Sequence, residues 1–191
     1  MKTLAFASRN AKEILRDPLN LAFGIGFPLA ILFLLSIIQS NVPVSLFEIE
    51  NLVPGIAVFG FSFISTFSGM LIAKDRSTSF LMRLFSSPLT GANFILGYSL
   101  PLLPFAIVQS AICFIAAFFL GLKISVNVLI VFIVLIPTSI LFIGIGLLAG
   151  SLLTDKQVGG VCGALLTNLA AWLSGTWFDL NLVGGTFKQV A

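Results

Sequence analysis

The chain alternates between long apolar runs and short polar segments. Each run has about 20 residues or more, the length that an α-helix needs to cross the hydrocarbon core of a bilayer. The pattern therefore predicts five membrane-spanning helices, at residues 19–38, 52–73, 94–120, 128–152 and 158–176. Pro101 and Pro104 should kink the third of these helices.

The segment before the first run shows a different pattern, with apolar positions at helical spacing among charged ones. An amphipathic helix of this kind suits the surface of an anionic leaflet, and Asp17-Pro18 should end it. The alternative is a disordered basic tail. We therefore expect an interfacial helix over residues 1–18, with its apolar stripe at Leu4, Ala7, Ala11, Ile14 and Leu15.

Residues 74–90, KDRSTSFLMRLFSSPLT, form the most polar segment between two apolar runs. Phe80, Leu81, Leu84 and Phe85 fall on one side of a short helix, which the following Ser-Pro pair should end. We interpret this helix as a docking element at the membrane face that a soluble partner grips. The alternative is an ordinary charged loop that only fixes the topology.

Composition identifies the main solvent of this chain as lipid. Hydrophobic residues make up 58% of the chain and charged residues only 9%, against roughly 25% charged residues in an average soluble domain. A soluble protein of this size could not bury so much apolar surface. The net charge of +3 is small and lies in the polar segments, so it indicates orientation rather than nucleic-acid binding.

Lysine and arginine are unequally distributed between the two sides of the predicted membrane domain. One side collects only Lys123 and Lys188. The positive-inside rule therefore places the N-terminus and residues 74–90 in the cytoplasm, and five spans leave the C-terminus outside. The basic residues of the predicted cytoplasmic side are Lys2, Arg9, Lys12, Arg16, Lys74, Arg76, Arg83 and Lys156.

Several predicted spans carry small or polar residues on one face. Such faces usually pack against a neighbouring helix, and the alternative is that they line a substrate path. Gly146 and Gly150, and likewise Gly159 and Gly163, have the GxxxG spacing that lets helix backbones approach. The candidate path residues on these faces are Ser62, Ser65, Thr66 and Gln109, and the fifth predicted span carries the polar residues Thr167 and Asn168.

The sequence excludes most catalytic chemistry. It contains no histidine, its two cysteines lie within apolar runs, and no charged residue lies mid-span, so metal, haem and His-dependent catalytic sites are disfavoured. Proton-coupled transport is disfavoured for the same reason, whereas sodium coupling stays open. No phosphate-binding loop of the GxxxxGK[ST] type is present. If the chain moves a substrate uphill, the energy must come from another polypeptide, and residues 74–90 are the expected entry point.

These motifs resemble the permease subunits of type 2 ABC exporters, the family of drug-resistance and polysaccharide or lipid export permeases. The resemblance begins with the basic helix KEILRDPLNL and the following FGIGFPLAILFLL, and continues in NLVPGIAVFGFSF. It is strongest from Met70 to Leu100, where a charged pair, a short helix, a Ser-Pro stop and a glycine follow in the family's order. LSGTWFDL, from Leu173 to Leu180, resembles the family's outer end.

The resemblance implies an elbow helix at residues 1–18 and a coupling helix within residues 74–90. It further implies two permease chains and two cytoplasmic ATPase subunits in a bacterial or archaeal plasma membrane, with ATP and Mg²⁺ held by the ATPase and no cofactor bound by this chain. The substrate, a drug-like molecule, a lipid or a polysaccharide, would cross between the permease chains along the second and fifth spans, which adds Thr167 and Asn168 to the candidate path residues. The expected coupling residues are Asp75, Arg76, Phe80, Arg83, Leu84 and Phe85.

The expected fold is thus a single all-α membrane domain, with an elbow helix and five spans over residues 1–191. The family usually has six spans, so we expect residues 177–191 to form part of an outer segment and the sixth span to be missing. Many relatives also carry an acidic residue where this chain has Ser77. Two other functions stay open, a membrane scaffold that transports nothing and a secondary carrier or channel.

Overall fold

The described residues are almost entirely helical, as the all-α prediction requires. The structure, a computed structural model, describes residues 2–43, 47–78, 80–86 and 89–173, and no strand occurs among them. The helices are α1 (Lys2–Arg16), α2 (Pro18–Asn41), α3 (Ile49–Ser77), α4 (Phe80–Phe85), α5 (Gly91–Phe119), α6 (Val126–Leu152) and α7 (residues 155–173).

Four of these helices, α2, α3, α5 and α6, are long and apolar enough to cross a membrane. They coincide with the first four predicted spans, with their ends displaced by a few residues. The largest consequence is at α3, which continues to Ser77 and so includes Lys74, Asp75 and Arg76. The predicted loop therefore begins later than expected, because basic residues in the last turn stabilise the negative end of a helix.

The fifth predicted span corresponds to α7, which comprises Asp155–Val158, a π-helical segment Gly159–Leu166 and Thr167–Leu173. Its first turn is polar, and the helix is not among the four described helices that are apolar enough to cross a membrane. Residues 174–176 of the predicted span, and the whole predicted outer segment 177–191, lie outside the described residues.

Helix α1 packs along α5 through a face that shares only Ala7 and Ile14 with the predicted apolar stripe. Its buried face consists of Phe6, Ala7, Asn10 and Ile14, whereas Leu4 and Leu15 are 67% and 60% exposed. Asn10 belongs to this buried face because its amide donates a hydrogen bond to the carbonyl oxygen of Gly97, 3.0 Å away. A paired amide loses little on burial.

Helix α3 lies at the centre of the bundle and contacts α2, α5, α6 and α7. Its small-residue face meets α6 at very short range. A Cβ atom added to Gly150 would collide with the backbone of Gly69, and one added to Gly146 would collide with the backbone of Ser65. The GxxxG pair of α6 therefore packs directly on the backbone of α3 in the same chain.

We predict that Gly150→Ala destabilises the bundle by about 1–3 kcal/mol, because the added methyl group must push the α3 and α6 backbones apart. Thermal unfolding in detergent micelles would measure the effect. Gly144→Ala is the matched control on the same helix, since no atom lies within 4 Å of its added Cβ. Equal melting temperatures for the two variants would contradict the packing described here.

Candidate functional site

The last turns of α3 hold a carboxylate that is almost completely shielded from solvent. The Asp75 side chain is 3% exposed and forms a two-pronged ion pair with Arg9 of α1. The Nη1 atom of Arg9 lies 2.7 Å from Oδ2 of Asp75, and Nη2 lies 2.9 Å from Oδ1. Such paired contacts between a guanidinium and a carboxylate are short, directional and stronger than neutral hydrogen bonds.

A third helix provides a further hydrogen bond to Asp75. The Tyr98 hydroxyl of α5 donates a hydrogen bond to Oδ2 of Asp75 at 2.8 Å, and Tyr98 is fully buried. Arg9 also donates from Nη1 to the side-chain oxygen of Asn10 at 2.8 Å. One carboxylate of α3 thus connects α1 and α5, which meet it from different directions.

A second carboxylate extends this network toward solvent. Glu13 lies 2.9 Å from Arg9, one turn away on α1, and 2.9 Å from Nζ of Lys74 on α3. Burial alone would lower the pKa of Arg9, but the hydrogen bonds that Arg9 donates to Asp75 and the charges of Asp75 and Glu13 raise it above the ordinary guanidinium value. Arg9 therefore stays charged at every physiological pH.

An aromatic cluster joins the short helix α4 to the same network. Phe6 of α1 has its ring centroid 6.2 Å from that of Phe80, 6.2 Å from that of Phe94 and 4.9 Å from that of Tyr98. The guanidinium carbon of Arg9 lies 4.3 Å from the centroid of the Phe80 ring. Arg9 thus binds the carboxylate of α3 on one side and stacks on α4 on the other.

The predicted coupling residues fall into two groups. Arg76 donates from Nη1 to the carbonyl oxygen of Gly150 at 2.9 Å and to that of Leu153 at 3.4 Å, so together with Asp75 it contacts helices of its own chain. On α4, Phe80 and Leu84 are half-buried against the core, whereas Arg83 and Met82 have exposed side chains. The side chain of Phe85, and the predicted stop at Ser87-Pro88, lie outside the described residues.

The site also contains four residues that no sequence pattern had indicated: Arg9, Glu13, Tyr98 and Phe6. The Arg9–Glu13 pair at helical spacing was a local signal that could have been used. Tyr98 and Phe6 gave none, because their contacts with Asp75 and Phe80 join residues far apart in the chain.

The candidate path residues do not form an open polar surface. Ser62, Ser65, Thr66, Gln109 and Thr167 are buried inside the bundle, and only Asn168 is exposed. The small face of α3 packs on α6 and α7, with Thr66 in contact range of Gly163. Gln109 lies against Gly60, where an added Cβ atom would collide with its amide nitrogen. The structure thus places five of the six where they pack against neighbouring helices.

We predict that Tyr98→Phe destabilises the chain by about 1.5–3 kcal/mol, because it removes a hydrogen bond to a buried charge and keeps the ring in its packing. Unfolding in detergent micelles at neutral pH would measure the loss. Ser99→Ala serves as the control, since the Ser99 side chain is only half-buried and bonds only its own helix, at the carbonyl oxygen of Ile95. A Tyr98→Phe variant as stable as that control would show that the hydroxyl contributes nothing.

Comparison with protein families matches residues 1–190 to the family described as ABC-2 type transporter. No match was found among curated proteins or among solved structures. The family match covers all but the last residue and confirms the resemblance that the motifs indicated, including the fold of helical spans. The chain therefore belongs to the ABC-2 type transporter family, whose members are membrane permease components.

Proposed function

We propose that this chain is the permease subunit of an ATP-driven exporter and that α4 is the element on which the ATPase acts. Family membership makes the chain a multi-pass permease component of an ABC transporter and supports an ATPase subunit as its partner. The proposal for α4 rests on one observation: Arg9 lies 2.7 Å from Asp75 of α3 and 4.3 Å from the ring of Phe80 on α4. A displacement of α4 would therefore reach α1 and α3 through a single side chain.

In this proposal the coupling residues have two different tasks. Arg83 and the neighbouring Met82 are exposed on α4 and contact the ATPase, as Phe85 does in the sequence-based prediction. Phe80 and Leu84 hold α4 against the bundle, and Asp75 and Arg76 fix the end of α3. Contact with the partner and transmission of its movement are thus separable by mutation.

The remaining parts of the proposal rest on the sequence. Two permease chains and two ATPase subunits assemble in a bacterial or archaeal plasma membrane, and the ATPase binds ATP and Mg²⁺. The distribution of basic residues supports a cytoplasmic N-terminus, with α4 on the same side. The substrate is a drug-like amphiphile, a lipid or a polysaccharide that leaves the cell between the two chains. Asn168 is the one candidate path residue whose side chain is exposed for contact.

We expect Arg83→Glu to reduce the amount of ABC ATPase that co-purifies with the chain by about tenfold, as loss of a charged interface contact does. Quantitative pull-down from detergent-solubilised membranes would measure it. Lys123→Glu reverses an exposed charge in the polar segment between α5 and α6, away from the α4 end, and should leave the yield unchanged. Unchanged binding by Arg83→Glu would exclude α4 as the contact. Absence of any ATPase from the wild-type preparation would favour the scaffold instead.

Phe80→Ala should have the opposite effect, with ATPase binding kept and coupling to the permease lost. It keeps Arg83 and removes the ring on which Arg9 stacks, so the ATPase should still co-purify while its ATP turnover no longer responds to the permease. ATPase activity of the reconstituted complex, compared with that of the isolated ATPase, would measure this coupling. Full coupling in the Phe80→Ala complex would show that α4 does not act through Arg9.

The orientation predicts where a fused reporter works. A reporter that is active only in the cytoplasm should be active when fused at Ser86, just after α4, and inactive when fused at Lys123, between α5 and α6. Enzymatic assay of intact cells expressing each fusion would measure it. The reverse pattern would invert the topology and place α4 out of reach of a cytoplasmic ATPase.

A further inference from the structure

An open groove of about 1020 Å³ lies beside α1, and of its lining residues the proposed function uses only Arg9. We call it the α1 groove. Residues of α1, of the start of α2, of α3 and of the first turn of α7 line it. A volume of this size is at the upper end of the range of ligand sites in proteins.

The floor of the α1 groove is apolar and runs along α3. Phe67, Met70 and Leu71 line it, together with Ile14 of α1. From Lys74 at its rim to Phe67 the helix rises by about 10 Å. The groove therefore extends from the level of the charged residues to well inside the apolar part of the bundle, which is the profile of a site for an amphiphile.

The charges of the groove separate into an internally paired set and an unpaired set. Glu13 bridges Arg9 and Lys74, and Arg9 also pairs with Asp75, so these four charges compensate one another. Of the other lining charges, Asp17 accepts a hydrogen bond from the backbone nitrogen of Leu19 at 3.0 Å. Within the part of the chain that the structure describes, Lys12, Arg16 and Asp155 line the groove without an ion pair.

The unpaired set contains both positive and negative side chains, and they lie on different walls of the groove. Lys12 and Arg16 are one turn apart on α1 and therefore neighbours on its surface. Asp155 comes from α7 on another wall of the groove, with Asp17 at the α1–α2 junction. A purely anionic head group would satisfy the two cations and leave the carboxylates facing a negative charge. A zwitterion with a phosphate and a hydrogen-bonding ammonium satisfies both.

We propose that the α1 groove is a binding site for a phospholipid with a primary ammonium head group, of the phosphatidylethanolamine type. The phosphate lies between Lys12 and Arg16, the ammonium faces Asp155, and one acyl chain follows Phe67 and Met70 along α3. The exposed Leu4 and Leu15 of the same helix α1 indicate that its outer surface is itself in contact with the membrane. The inference requires only that the chain is embedded in a bilayer, whichever substrate it transports.

The test is native mass spectrometry of the purified chain in detergent, with phosphatidylethanolamine, phosphatidylglycerol and phosphatidylcholine of matched acyl chains offered at equal concentration. We expect the wild type to retain phosphatidylethanolamine preferentially, because the choline head group has no N–H to donate and the glycerol head group has no cation. Lys12→Gln combined with Arg16→Gln should lower retention of all three lipids by about tenfold or more. Asp155→Asn should lower only the preference for phosphatidylethanolamine.

Lys123→Gln is the matched control, since Lys123 is exposed and lies outside the groove. Melting temperatures of all variants show that they remain folded, and the rise in the wild-type melting temperature on adding each lipid gives a second measurement without mutation. Equal retention of the three lipids by the wild type, or a preference for phosphatidylglycerol, would overturn the proposal. So would a double variant that retains lipid normally but dimerises less, which would assign the groove to contact with a second copy.

Discussion

The charged end of this protein depends on keeping one carboxylate ionised where almost no water reaches it. An ionised group costs far too much to bury unless charges and hydrogen bonds compensate it. Asp75 receives two hydrogen bonds from Arg9 and one from Tyr98, so α1 and α5 must both be docked for α3 to end where it does. The position of the amphipathic helix is therefore set by a specific pairing as well as by apolar contact.

Arg9 contacts two helices at once, because a guanidinium can bind one partner through its edge and another through its face. Its edge binds the carboxylate of Asp75 and its face lies over Phe80, a combination that a lysine ammonium could not reproduce. The short helix α4 has only six residues and would not be stable alone. Its place at the end of the bundle comes from contacts of Phe80 and Leu84 with the rest of the core.

The sequence was sufficient for four of the five predicted spans, because lipid imposes a simple rule of length and apolarity. It also located the helical part of residues 80–85 from the spacing of Phe80, Leu81 and Leu84. It could not indicate that Asp75 pairs with Arg9, since 66 positions separate them and neither lies in a motif that requires the other. Nor could it indicate that Asn10 is buried, because the carbonyl group of α5 that stabilises Asn10 is revealed by no local pattern.

The small polar face of α3 illustrates a second limit of sequence reasoning. Hydroxyl groups in a span are compatible with a substrate path and with close packing, and only the neighbours decide between them. Here the neighbours are the backbone of α6 at Gly146 and Gly150 and the π-helical part of α7. Ser68 even donates a hydrogen bond across this contact, to the carbonyl oxygen of Ile143 at 3.3 Å.

The direct contact between the backbones of α3 and α6 has a mechanical consequence. No flexible side chain lies between Gly69 and Gly150 to absorb a shift, so one helix cannot slide past the other without a steric clash. We therefore expect the two helices to move as one rigid unit, and Arg76 at the end of α3 ties it to the last turn of α6. A displacement at the charged end would thus move both helices together rather than one past the other.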